Sequence, residues 1–384
     1  LQLDRLLDAA RRDSGLSDFG DPWFIGPMRE VIAMINAEAG LKSDNEPPVR
    51  ALIGNLADRL RLVDYLKRNP EALDEEVQVA GIIIGLGRGG STLLQRLLSS
   101  SSQLNSTPWW EVVFPLPLAD ERRGNPAPRA ELGKQAARSI NESWPEMVAM
   151  HPVDALEADE EIALFDRTPF SLMYCFYFDI PSYMPWLRKQ DQRKAYEELR
   201  TWLKVFQFQQ PMRRGKKWLL KSGHHLHAGA MRVVLDMYPE AKAIMTHRRL
   251  QNVIVSYCSM QRLLVQDFSL TFQAKALGPQ AIEVFRHALE GLIAVRQEYP
   301  ADRFIDVQYE DTVSRPLEVF RTTMTAMGVP PTLEDMQDAA TWMAGHGRDT
   351  HPPHVYSAED YGITAEAIAR DFGFYHDAFL KKEA

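Results

Sequence analysis

The sequence predicts an α/β fold with a mostly parallel sheet covered by helices on both faces, and three observations carry that prediction. Short apolar runs bounded by glycine or charged residues recur along the chain: "VQVAGIIIG", "KKWLLKSG", "AKAIMTHR" and "RFIDVQYED". Longer stretches with helical spacing separate the last three: "HAGAMRVVLDMYP", "QNVIVSYCSMQRLL" and "AIEVFRHALEGLIAVRQEYP". A glycine-rich turn, "GLGRGGST", joins the first apolar run directly to the helical pattern "STLLQRLLSS". Strands alternating with helices give parallel pairing, because each crossover helix returns the chain to the same end of the sheet.

The elements follow in order. Residues 1–70 read as a helical region. "DRLLDAARRDSG" is a helix stopped by Gly15, "PMREVIAMINAEAG" begins near Pro27 and stops at Gly40, and "ALIGNLADRLRLVDYLKRNP" stops at Pro70. Residues 71–384 form the α/β part. After its first strand and helix, residues 105–215 are dense in Trp, Tyr, Phe and Met, as in "TPWWEVVFPLPL" and "FSLMYCFYFDIPSYMPWL". Part of this segment supplies core, and the rest suits the wall of an apolar pocket. The tail "GHGRDTHPPHVYSAEDYG" is polar and turn-rich before a last helix.

Composition narrows the function. The chain has 384 residues, 45% of them hydrophobic and 25% charged, with a formal net charge of -8. Such a surface argues against nucleic acid as a partner but leaves room for a local basic pocket. No apolar run reaches the roughly 18 residues of a membrane span. The charged, amphipathic N-terminus does not read as a secretory signal, so a cytoplasmic location is expected. Cys175 and Cys258 sit among apolar or aromatic neighbours and read as buried free thiols. The oligomeric state stays open.

The loop after the first strand carries the chemistry. Gly85, Gly87, Gly89 and Gly90 allow backbone N–H groups to turn inward around an anion. The following helix adds its positive end, Arg88 a permanent charge, and Ser91 and Thr92 their hydroxyls. A plain glycine turn with Ser91 as helix cap is the structural alternative. The triphosphate-binding pattern G-x-x-x-x-G-K-[ST] requires a lysine that this loop lacks, which disfavours an ATPase or kinase. The dinucleotide pattern partly fits Gly85, Gly87 and Gly90. It also wants an acidic residue ending a second strand about 20 residues on, and Asn105 stands there, in what does not read as a strand end.

Taken together and in order, "GLGRGGSTLLQRLLS", "WLLKSGHHLHAG" and "AKAIMTHRRLQNVIVSYCS" resemble bacterial members of the sulfotransferase superfamily, with "FIDVQYEDTVSRP" and "HVYSAEDYGI" agreeing further on. The likeness covers nearly the whole chain and implies the P-loop-like fold of that superfamily. It implies 3'-phosphoadenosine 5'-phosphosulfate (PAPS) as donor, PAP as product, and a small-molecule hydroxyl as acceptor. Arg88, Gly89, Gly90, Ser91 and Thr92 match the loop that holds the 5'-phosphosulfate. Arg248 and Ser256 match the pair that holds the 3'-phosphate. Lys221 matches the lysine lying against the transferring group. The family's Pro-Arg-Thr-Gly, Lys-Ser-Pro and His-Arg-Asp-Pro become Gly87-Arg88-Gly89-Gly90, Lys221-Ser222-Gly223 and His247-Arg248-Arg249-Leu250 here. These changes keep the charged donors while loosening the scaffold.

An attacking hydroxyl must lose its proton, so a base is required. His151 ranks first, with Asp154 or Asp159 to orient it; Glu111 in "TPWWE" follows, then His225 in "KSGHHLH". His224, His225 and His227 do not have convincing spacing for a closed metal site, so no metal is expected. The acceptor class is small and largely apolar: steroid, phenol, lipid or polyketide-like. Two other readings are a transferase or hydrolase using another phosphorylated nucleotide, and a non-catalytic nucleotide-binding or scaffold protein.

Overall fold

The computed structural model describes residues 1–150, 153–346 and 357–380. Five strands form one sheet: β1 (Val79–Ile83), β2 (Leu104–Asn105), β3 (Lys217–Lys221), β4 (Lys242–His247) and β5 (Phe304–Gln308), in the order β2-β3-β1-β4-β5. Every pairing is parallel, for example Ile83 beside Lys221 and Ile82 beside Ala243. The four predicted strands are present. The fifth, β2, has only two residues and lacks the length that would make it a readable apolar run. Asn105 therefore does end a strand. Its side chain donates to the carbonyls of Arg213 and Lys216 instead of offering a carboxylate, so the dinucleotide pattern still lacks its acidic residue.

The alternation of side chains along each strand builds two cores. Ala80, Ile83, Leu219 and Ile244 face the helices Ser91–Ser99 and Pro316–Ala326, packing with Leu94, Leu98, Phe320 and Met324. Ile82, Trp218, Leu220 and Met245 face the other way, into a larger cluster. Gly81 in β1 lets these layers close: a Cβ there would lie 2.3 Å from Met327 Sδ. Winding proceeds to one side of β1 through β2 and β3, then to the other through β4 and β5. The C-terminal ends of β1, β3 and β4 thus surround a reversal of winding, where open parallel sheets present a crevice.

The N-terminal helices are Leu3–Ser14, Ile25–Glu38 and Pro47–Arg68, the first ended by Gly15 at φ 70°. They join the larger cluster through Leu6, Leu56 and Leu60, alongside Phe165, Trp202 and Trp218. Their polar ties run to the aromatic segment. Arg167 Nη2 donates to Asp58 Oδ2 at 2.7 Å, Arg59 forms an ion pair with Glu198, and Ser182 N donates to Glu38 Oε2 at 3.0 Å. The segment 105–215 folds largely as helices, the longest being Ala127–Ser143 and Arg193–Gln209. The last helix, Ala365–Phe379, packs against the end of β4, where Tyr375 Oη lies 3.0 Å from His247 Nδ1. Most of the polar tail lies outside the described residues. No described helix is long and apolar enough to cross a membrane.

Candidate active site

The glycine loop is folded by close approach. At Gly85, an added Cβ would lie 2.2 Å from Thr246 Oγ1 on β4. Gly90 has φ 89°, and a Cβ there would lie 2.3 Å from the ring of Tyr309. Between them, Arg88 takes φ 70°, the only non-glycine residue with positive φ among those described. Gly90 occupies the N-cap of the helix Ser91–Ser99, and no side chain caps that helix. Ser91 is thus the first helical residue and not the cap, which corrects the structural alternative considered from sequence. Donors of the helix's first turn are left for a ligand.

Left-handed backbone at Arg88 turns its guanidinium toward the helix Leu250–Val265, where Nε donates to Ser256 Oγ at 3.0 Å. Arg248 follows the last residue of β4 and folds back, its Nη1 donating to the carbonyl of Arg88 at 3.0 Å. Its guanidinium lies 4.1 Å from the centre of the Tyr309 ring. Arg88, Arg248 and Ser256 therefore meet, with Arg88 as the bridge. Two guanidinium groups beside a helix N-terminus form a local electropositive site in a chain of net charge -8.

Lys221, the last residue of β3, is 1% exposed. Its Nζ forms an ion pair with Glu160 and donates to Thr92 Oγ1 at 3.1 Å. The neighbouring Glu161 accepts the backbone N–H of Lys221 at 2.9 Å through Oε2 and pairs with His225 Nε2 at 2.6 Å through Oε1. Adjacent carboxylates thus hold the same lysine by its side chain and by its backbone. Lys221, Thr92 and Glu160 line a cavity of about 360 Å³, with Arg88 and Ser91 at the same polar part. Trp109, Trp144, Leu172 and Phe176 from the 105–215 segment, with Tyr257 and Phe285 from later helices, make much of its apolar wall. Gly89 and Gly90 shape the loop but do not line the cavity.

The three proposed bases fare differently. His151 lies outside the described residues. Glu111 is fully buried and does not line the cavity. Burial pushes its carboxyl pKa up, opposed by Arg213, whose Nη1 donates to Oε2 at 2.8 Å, and by Gln210, which donates to Oε1 at 2.6 Å. Its partners make it a structural anchor. Arg213→Ala should strand that carboxylate and cost about 3–5 kcal/mol of stability, read by chemical denaturation. His225 is also buried away from the cavity, fixed by Glu161 and by Tyr196 Oη 2.7 Å from Nδ1. Sequence reasoning passed over Glu160. Its signal was an acidic pair, Glu160-Glu161, set directly before the apolar "IALF" in an aromatic-rich region.

Asp154 and Asp159, named as partners for His151, are held locally. Asp154 Oδ1 accepts Leu156 N at 2.9 Å, and Asp159 Oδ1 accepts Glu160 N at 2.7 Å. Among the described residues no three His, Cys, Asp or Glu side chains are arranged to hold a metal ion. Cys175 and Cys258 are free and buried, and burial pushes both thiols up to about 12.

A comparison with family profiles matches residues 82–335 to the sulfotransferase family. Among solved structures, sulfotransferase STF1 from Mycobacterium tuberculosis is 26% identical with a TM-score of 0.83, covering 97% of this chain and 99% of that one. Sulfotransferase STF9 from Mycobacterium avium shares the fold at 23% identity and a TM-score of 0.87, covering 99% of this chain and 97% of that one. No curated protein sequence matches the chain. With the profile spanning both the glycine loop after β1 and the lysine that ends β3, the chain belongs to the sulfotransferase family.

Proposed function

We propose that this sulfotransferase moves a sulfuryl group from PAPS to a hydroxyl of a small, largely apolar acceptor. The observation that carries this reading is Lys221: its ammonium joins Thr92 of the glycine loop to Glu160 of the cavity. The loop and the helix Ser91–Ser99 suit the 5'-phosphosulfate. Arg88, Arg248 and Ser256 suit the 3'-phosphate. The aromatic wall suits the acceptor.

In the proposed reaction, Glu160 accepts the proton of the acceptor hydroxyl. The hydroxyl oxygen forms a bond to sulfur as the bond from sulfur to the bridging phosphate oxygen breaks, and PAP leaves. Lys221 has three N–H donors. Two serve Glu160 and Thr92, and the third is available for charge developing on the leaving oxygen. Buried free thiols at Cys175 and Cys258 suit a reducing compartment, in keeping with a cytoplasmic enzyme.

Titration with PAP tests the donor. No binding at about 100 μM would overturn the PAPS assignment, since an intact two-phosphate site should bind more tightly than the roughly 5.5 kcal/mol this implies. Arg248→Ala should weaken PAP binding by about 10- to 150-fold, the effect of losing a charge-assisted contact worth about 1.5–3 kcal/mol. Calorimetry on the folded variant reads this directly, and unchanged affinity would remove Arg248 from the 3'-phosphate site.

A further inference from the structure

One polar side chain in the cavity has no part in the chemistry above. His227 precedes the helix Ala228–Met237 as its N-cap residue, yet its side chain does not cap that helix. It is 7% exposed and lines the cavity beside Leu226, Val284, Phe285 and Ala288. Its position is fixed by tight packing: a Cβ added at Gly291 would lie 2.9 Å from the Cβ of Ala228, the next residue. Neither neighbouring histidine lines the cavity: His225 is held by Glu161 and Tyr196, and His224 Nε2 lies 2.7 Å from Gln192 Oε1 while its Nδ1 is buried without a partner. Among the described residues nothing hydrogen-bonds the His227 ring nitrogens, and Lys221, Thr92 and Glu160 bond one another without it.

We infer that His227 is an acceptor-selecting residue, and that the acceptor is an uncharged molecule carrying, besides the hydroxyl that reacts, a second polar group such as a ketone that this imidazole hydrogen-bonds. The inference rests on the sulfuryl-transfer reading. An imidazole that faces a cavity without a protein partner is left to bond water or a bound molecule, and an apolar group laid against it would forfeit that bond. Burial, and then the charge of Arg188, push His227 down to about 4, so at neutral pH the ring offers one donor and one acceptor and no charge. The cavity residues beside it are apolar, and the cation that acts on it, Arg188, is already paired with Glu283 at 3.5 Å, which leaves a charged group poorly matched there. The acceptor thus has two polar points on an apolar body, one at Lys221 and Glu160 and one at His227.

Matched probes test this in the full chain: 2-naphthol against 6-acetyl-2-naphthol, and a 3-hydroxysteroid with a 17-ketone against the same skeleton without it. Affinities are measured with and without saturating PAP, and sulfated product is followed with PAPS. In the wild type, the ketone member of at least one pair should bind about tenfold more tightly, the size of one well-made neutral hydrogen bond. His227→Leu should erase that gap, and His227→Gln should retain most of it, with PAP affinity and thermal midpoint as controls for folding. Equal affinity within both wild-type pairs would overturn the inference without any variant. So would His227→Leu weakening both members of a pair alike, which would put the residue in wall packing or at the reacting hydroxyl. If PAP fails to bind, sulfuryl transfer from PAPS is what has failed, and the PAP-free probe affinities still decide the role of His227.

Discussion

Glu160→Gln is expected to bind PAP like the wild type and to lose about 10²–10⁴-fold in turnover, the usual contribution of a positioned general base. The carboxylate lines the cavity, pairs with Lys221 and sits one residue from Glu161, which anchors β3. Glutamine keeps the size and a hydrogen bond to Lys221 but cannot take a proton. Two matched variants make the result decisive. Glu111→Gln should change stability without a comparable loss of turnover in the folded fraction, because Glu111 is bonded to Arg213 and Gln210 away from the cavity. His151→Ala tests the base first expected from sequence. If it abolishes turnover while Glu160→Gln stays active, the assignment to Glu160 is wrong.

Lys221→Ala should lower kcat by about 10²–10³-fold, the range seen when one donor to a developing charge is removed. The effect should fall mainly on kcat and less on PAP affinity, because the demand for positive charge is greatest as the bond to the leaving oxygen breaks. Burial sharpens the expectation: at 1% exposure, water has little access to replace the ammonium. The variant also leaves Glu160 without its cation, so the double variant Lys221→Ala with Glu160→Gln should lose less than the product of the single losses. Single-turnover kinetics with saturating PAPS would read both effects, and an unchanged rate of chemistry in Lys221→Ala would remove this lysine from the transferring group.

The parts of the fold legible in sequence were those governed by local rules. β1, β3, β4 and β5 are short apolar runs with clear stops, and the helix Leu3–Ser14 ends where Gly15 takes a left-handed turn. The residues proposed to hold the donor stood out for the same reason: Lys221 ends β3, Arg248 follows β4 and Arg88 lies in the loop after β1, where a parallel sheet gathers distant residues. The acidic group at the cavity was not. In "ALEADEE", Glu160 looks like a solvated charge, and only the fold of the surrounding segment brings it to Lys221, sixty-one positions away. For Glu111, aromatic neighbours in the sequence suggest a tuned carboxylate, while its partners Arg213 and Gln210 come from a separate turn that the sequence does not connect to it. β2 escaped notice because two residues carry no periodicity.

The ties from Asp58, Arg59 and Glu38 to Arg167, Glu198 and Ser182 bear on how this architecture diversifies. The segment that supplies much of the cavity's apolar wall leans on helices that precede the glycine loop in the chain, so the two stretches form one exchangeable cassette around the strands and their glycine loop. Grafting residues 105–215 from a relative while keeping the native first seventy would break at least these three ties and the shared apolar packing. A chimera that takes both stretches from the same parent keeps them. Recombination libraries built on this protein should therefore place their crossovers near residues 75, 105 and 215 and take the first and third blocks from one parent, letting the two stretches travel as a linked pair around β1 and its glycine loop.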